Sequence, residues 1–131
     1  HEGGHNMGLQ HAASAAYSPS PLGSIGSAGT HDEYGDRYSA MGIGFSFNGR
    51  SFLGHYAAPH KLRLGWYASG SQVATAETPG SFSLQPAGVN PAGLQALRIR
   101  RGTGNDAWLW VEYERQVPCR WGGHGDADDQ R

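Results

Sequence analysis

Residues 1–11 constrain this chain most, because they place three histidines in the string HEGGHNMGLQH. His1 and His5 are four residues apart, so on an α-helix their side chains lie one turn apart on the same face. Gly8 can adopt the positive φ that ends a helix, and the turn would bring His11 round towards the other two rings. The spacing therefore predicts a short helix, a sharp turn and three imidazoles that face one point.

Three neutral imidazoles around one point are typical of a catalytic metal site. Catalytic zinc is held by three protein ligands and keeps a fourth position open for water, which the metal acidifies. Glu2 follows the first ligand directly, so its carboxylate can take a proton from that water and pass it to a leaving amine. We therefore predict that His1, His5 and His11 bind Zn²⁺ and that Glu2 is the general base of a hydrolase. Cu²⁺ is an alternative ion, because imidazole ligands also suit copper.

A methionine downstream of this string extends the pattern. The string HExxHxxGxxH followed by a methionine turn is the mark of the metzincin metallopeptidases. Met41, one of two methionines in the chain, lies in the sequence YSAMG at residues 38–42. We predict a tight turn there, with the thioether packed beneath the metal ligands. An ordinary core methionine ahead of a glycine-rich segment is the alternative interpretation.

Further segments make the resemblance more specific. Residues 33–36 (EYGD), Met41 with Gly42, and residues 58–66 (APHKLRLGW) resemble the gametolysin family of metzincins, and the likeness covers roughly residues 1–66. The resemblance implies that His1, His5 and His11 are zinc ligands and that Glu2 is the general acid and base. It also implies a secreted endopeptidase that hydrolyses extracellular or cell-wall proteins and glycoproteins.

The chain departs from the family pattern in two respects. Some metzincins carry a tyrosine two residues after the turn methionine, and this chain has Ile43 there, which leaves oxyanion stabilisation to the metal or to another group. The sequence also opens on the first ligand, so the resemblance implies a C-terminal fragment. The substrate-binding edge strand and a signal peptide are then expected in the missing N-terminal part, and the piece alone can be inactive.

The predicted fold class is α+β, with three parts. Residues 1–68 would be a metzincin-like catalytic subdomain, truncated at its N-terminus, with a second helix that begins at Pro59 and ends before Gly65. Residues 69–121 would be a small antiparallel β module, with strands near 81–85, 94–101 and 107–115. Residues 122–131 would be a flexible tail.

Composition and charge argue against nucleic acid and a membrane as partners. The net charge is −1 without a basic run, which argues against nucleic acid, and no stretch is apolar enough for a membrane span. Cys119 is the only cysteine, so an internal disulfide is excluded within this chain.

The alternative function is a non-catalytic fragment whose β module binds wall glycan or a protein partner. Trp108 and Trp110 are two residues apart, so they share one face of the predicted strand. We expect their side chains to pack in the core of the sheet; if that face is exposed, they could instead form an aromatic platform that binds sugar.

Overall fold

The computed structural model describes residues 1–47, 50–52, 54–89, 92–104 and 107–114. These residues form a mixed α+β structure with two short helices and several small sheets. The helices are α1 (Glu2–Asn6) and α2 (Ala58–Arg63), and the strands are β1 (Ser14–Ala16), β2 (Thr30–Asp32), β3 (Phe45–Phe47), β4 (Arg50–Phe52), β5 (Val73–Ala76), β6 (Ala96–Arg100) and β7 (Trp108–Glu112).

The predicted stop after the first helix is confirmed in detail. Gly8 has a φ of 82°, and its N–H donates to the carbonyl of His5 at 2.9 Å. The N–H of Leu9 donates to the carbonyl of Gly4 at 3.0 Å. This pair of hydrogen bonds is the Schellman arrangement, in which a glycine in the left-handed region satisfies the last carbonyls of a helix. The chain consequently reverses within one residue and buries Leu9 against Ala12 and Met41.

The second helix also follows its prediction. Pro59 lies in the first turn of α2, where its missing N–H costs no helical hydrogen bond, and Gly65 after the helix has a φ of 73°. The helix packs on a three-stranded sheet through a buried cluster of Ala58, Val73 and Ala96. Neither helix of the described residues is long and apolar enough to cross a membrane.

The β module differs from the prediction in two respects. β5 pairs parallel with β6, and only β6 and β7 are antiparallel, so the sheet is mixed rather than antiparallel. The predicted strand at residues 81–85 is wrong, because that segment belongs to the connection that crosses from β5 to β6. Parallel neighbours need such a long crossover. The alternation of Phe82 and Leu84 is too short to specify a strand between Pro79 and Pro86, and Phe82 is 42% exposed.

The remaining strands form two small antiparallel pairs. β1 pairs with β2, and β3 pairs with β4. The segment between His11 and β2 is mostly exposed and contains β1. Cys119 and the predicted tail at 122–131 lie outside the described residues, as do all residues of the predicted β module from 115 to 121.

Candidate metal centre

The structure brings the three predicted ligands together. One potential ligand atom from each of His1, His5 and His11 lies within 4.8 Å of the others. The ring centroids are 4.9 Å apart for His1 and His5, 4.8 Å for His5 and His11, and 5.3 Å for His1 and His11. A tetrahedral zinc ion with bonds of about 2.0–2.1 Å needs nitrogens about 3.4 Å apart. Small ring movements would therefore close this cluster on one ion.

Each of these rings uses its Nδ1 atom for a hydrogen bond to the protein. The Nδ1 of His1 lies 3.0 Å from the carbonyl oxygen of Ala40, and the Nδ1 of His5 lies 2.9 Å from that of Leu9. A carbonyl oxygen only accepts, so in both bonds Nδ1 must carry the proton. The neutral tautomer then leaves Nε2 with its lone pair available for a metal, as in most histidine-ligated sites.

His11 is held by a side chain instead of a backbone carbonyl. Its Nδ1 donates to the Glu33 carboxylate at 2.6 Å, and the ring of Tyr34 lies against it with centroids 4.0 Å apart. The Tyr34 ring also stacks at 5.9 Å from the ring of His1. All three ligands thus meet the usual requirement of metal-binding histidines, an acceptor on the nitrogen that does not bind the metal.

The predicted methionine turn packs against the segments that carry this cluster, with Met41 next to Gly4, Leu9 and Ala12. The N–H of Gly42 donates to the carbonyl of Ser39 at 3.0 Å, which closes a tight turn over residues 39–42. Met41 within it is completely buried against Leu9 and Ala12, which lie on either side of Gln10 and His11 in the chain. The carbonyl of Met41 accepts from the N–H of Ala12, next to His11, at 2.9 Å. The turn therefore packs against the start of the segment that carries His11, and the carbonyl of Ala40 within it accepts from Nδ1 of His1.

Glu2 lies in the first turn of α1, next in the chain to His1, and is exposed to solvent. It is not one of the three clustered ligand residues. Its role as general base stays a prediction that its position beside the first ligand permits.

The acidic residues between the third ligand and the turn do not form a second cation cluster. Among the described residues, the three histidines are the one group of clustered ligand side chains. Asp32 accepts from the N–H of Tyr34 at 3.2 Å, and Asp36 accepts from the N–H of Tyr38 at 2.8 Å. Both carboxylates thus stabilise local turns, while Glu33 binds His11.

The two tryptophans of β7 have different surroundings. Trp110 packs against the buried cluster under α2, as the core interpretation predicts. Trp108 has the guanidinium groups of Arg98 and Arg100 over its ring, at 4.6 and 5.3 Å from the centroid. Two arginines thus occupy the ring faces that a sugar platform would need, which argues against that alternative.

Several charged side chains join α2 to the three-stranded sheet. Both carboxylate oxygens of Glu112 accept from the N–H of Ala58, at 2.9 and 3.0 Å. The Nζ of Lys61, a residue only 6% exposed, lies 3.8 Å from Glu112 and 3.6 Å from Glu114. Burial raises the pKa of Glu112 and the nearby Glu114 adds to this, whereas the Ala58 N–H and Lys61 oppose it. This group anchors α2 at its N-terminus.

Two histidines outside the HExxHxxGxxH string have pKa values below the ordinary value, which favours their neutral forms. Burial lowers the pKa of His60, and Arg63 lowers it further against a weaker opposing effect of Asp36. Burial likewise lowers the pKa of His55, with Lys61 adding to the shift and Glu112 opposing it. Neither residue belongs to the cluster of three histidines.

Sequence reasoning missed three features of the site. It did not predict the bond from Glu33 to His11, the contact of Tyr34, or the close approach of Gly4 to Met41. The segment EYGD was noticed as a family motif, but its spacing alone does not reveal which ligand it touches. A glycine in the middle of α1 could have indicated a close contact.

Comparison with family models, with curated proteins and with solved structures finds no match to this chain.

Proposed function

We propose that this protein is a zinc-dependent metalloendopeptidase, similar to gametolysins, that is secreted and hydrolyses extracellular or cell-wall proteins. The observation that carries the proposal is the convergence of His1, His5 and His11 with the Nδ1 atom of each ring already hydrogen-bonded. Three such rings with free Nε2 atoms are the donor set of a catalytic zinc site. The buried methionine turn, which packs against Leu9 and Ala12, adds support, because such a turn accompanies this motif in metzincins.

The residues of the chain divide the chemistry among them. Zinc, when bound, supplies a Lewis acid that acidifies water and polarises the scissile carbonyl. His1 and His5, fixed by backbone carbonyls, and His11, fixed by Glu33, would hold the ion with rings whose orientations are already set. Glu2 accepts the proton of the attacking water and then donates it to the leaving amine.

A peptidase assay tests this proposal. The full-length gene product is incubated with a casein or cell-wall glycoprotein substrate, with and without a zinc chelator. We expect hydrolysis that the chelator abolishes and added zinc restores. Glu2→Gln should lower kcat/KM by about 10²–10⁴-fold with zinc retained, because the general base is lost and the ligands are not. Glu77→Gln, at another exposed glutamate, is the matched control and should leave kcat/KM unchanged.

Two outcomes would contradict the proposal. Hydrolysis that persists at full rate in Glu2→Gln would remove Glu2 from the mechanism. A protein that binds no zinc and cleaves no substrate would refute the peptidase assignment as a whole.

A further inference from the structure

The third ligand is held differently from the other two. His1 and His5 donate to backbone carbonyls, whereas His11 donates to the Glu33 carboxylate at 2.6 Å. The side chain of His11 is 20% exposed and that of Glu33 is 65% exposed. His11 also follows the helix rather than lying in it, so no helical neighbour fixes its ring. Its orientation therefore depends on the turn that carries Glu33.

This turn is itself well anchored. The carbonyl of Asp32 accepts from the N–H of Gly35 at 3.1 Å, and the N–H of Asp36 donates to the carbonyl of Ala12 at 3.1 Å. The carbonyl of Tyr34 accepts from the N–H of Ile43 at 2.9 Å, which links the turn to the methionine turn. Backbone hydrogen bonds on both sides thus fix the main chain from which Glu33 reaches His11.

We propose that Glu33 is a positioning residue that orients His11 for the metal and sets the affinity of the site. This inference rests on the proposed zinc function. The carboxylate keeps the proton of His11 on Nδ1, which leaves the lone pair of Nε2 available to a metal ion. The Tyr34 ring, 4.0 Å from that of His11, limits rotation of the imidazole.

Metal affinity and the tautomer of His11 test the proposal together. Zinc and cobalt dissociation constants are measured by competition with a chromophoric chelator for the wild type, Glu33→Ala and Glu33→Gln. Removal of an acceptor of this kind costs about 10–100-fold in metal affinity. We expect that loss for Glu33→Ala and a smaller one for Glu33→Gln, whose amide oxygen still accepts but carries no charge. Glu77→Gln, an exposed glutamate outside the site, should match the wild type.

Nitrogen NMR of the metal-free protein supplies a readout that general loss of structure would not imitate. The wild type should show His11 with its proton on Nδ1, and Glu33→Ala should show a mixture of the two tautomers, while His1 and His5 stay unchanged. The inference would be overturned if the wild type binds zinc, Glu33→Ala binds it with an affinity within about twofold of the wild type, and the His11 tautomer is the same in both. The peptidase proposal would still stand in that case. Absence of zinc binding in the wild type would overturn both.

Discussion

The Met41 sulfur lies directly against the backbone of Gly4, in the middle of the helix that carries the first two histidines. Both residues are buried, and Met41 is completely inaccessible to solvent. A Cβ atom on Gly4 would overlap this sulfur and would lie 3.1 Å from Cε1 of Tyr56. The second glycine of the HEGGH string therefore lets the helix sit on the methionine turn.

The two adjacent glycines of this helix should respond oppositely to alanine. Gly4→Ala should destabilise the protein by about 1–3 kcal/mol, because a methyl group there overpacks the contact with Met41. Gly3 has open space where its Cβ would be, so Gly3→Ala should stabilise the protein by about 0.5–1 kcal/mol through helix propensity. Denaturant unfolding of both variants measures the difference. If both substitutions change the free energy of unfolding by the same amount, the close packing of Gly4 against Met41 is contradicted.

The size of the Met41 side chain should matter more than its sulfur. Met41→Ala would leave a cavity next to α1 and should cost about 2–5 kcal/mol. Met41→Leu preserves most of the volume and should cost less than about 1.5 kcal/mol. Thermal unfolding monitored by circular dichroism compares them. A large loss with leucine would indicate a specific role for the thioether.

Glu112 should stabilise the start of the second helix through its bond to Ala58. Glu112→Ala removes the acceptor of a buried N–H and should cost about 1.5–3 kcal/mol. Glu112→Gln keeps one acceptor oxygen and should cost less than half of that. The free energies of unfolding at neutral pH check the order. If the two variants are equally destabilised, the contact with Lys61 rather than the helix cap is the stabilising one.

Stability should fall as the pH is lowered through about 6.5, the ordinary pKa of histidine. Burial lowers the pKa of His60 in the folded protein, so the unfolded chain binds a proton more readily in that range. Its contribution to stability is present above this pH and is lost below it. His60→Gln should flatten the curve of unfolding free energy between pH 7.5 and 5. His31→Gln, at an exposed histidine, is the control and should leave the slope unchanged.

The sequence predicted the local structure around the ligands because short-range chemistry decides it. The spacing of His1 and His5, the left-handed Gly8 and the turn at Met41 all act within a few residues. Pro59 and Gly65 defined the second helix in the same way. The cluster of three histidines follows from these local features.

Features that depend on distant parts of the chain were not predicted. The parallel pairing of β5 with β6 is decided by how residues 77–95 cross over, and no periodicity in the sequence encodes that path. The bond from Glu33 to His11 joins residues 22 apart, and the acidic segment alone was compatible with a solvated turn. Tertiary packing determined both outcomes.

X-ray absorption at the zinc edge of the zinc-loaded protein tests the central claim most directly. We predict one equivalent of zinc with three imidazole nitrogens and one further light atom at about 2.0–2.1 Å, and one imidazole fewer in His11→Ala. A spectrum with fewer than three imidazoles in the wild type, or one unchanged in His11→Ala, would contradict the convergence of His1, His5 and His11 on a single ion.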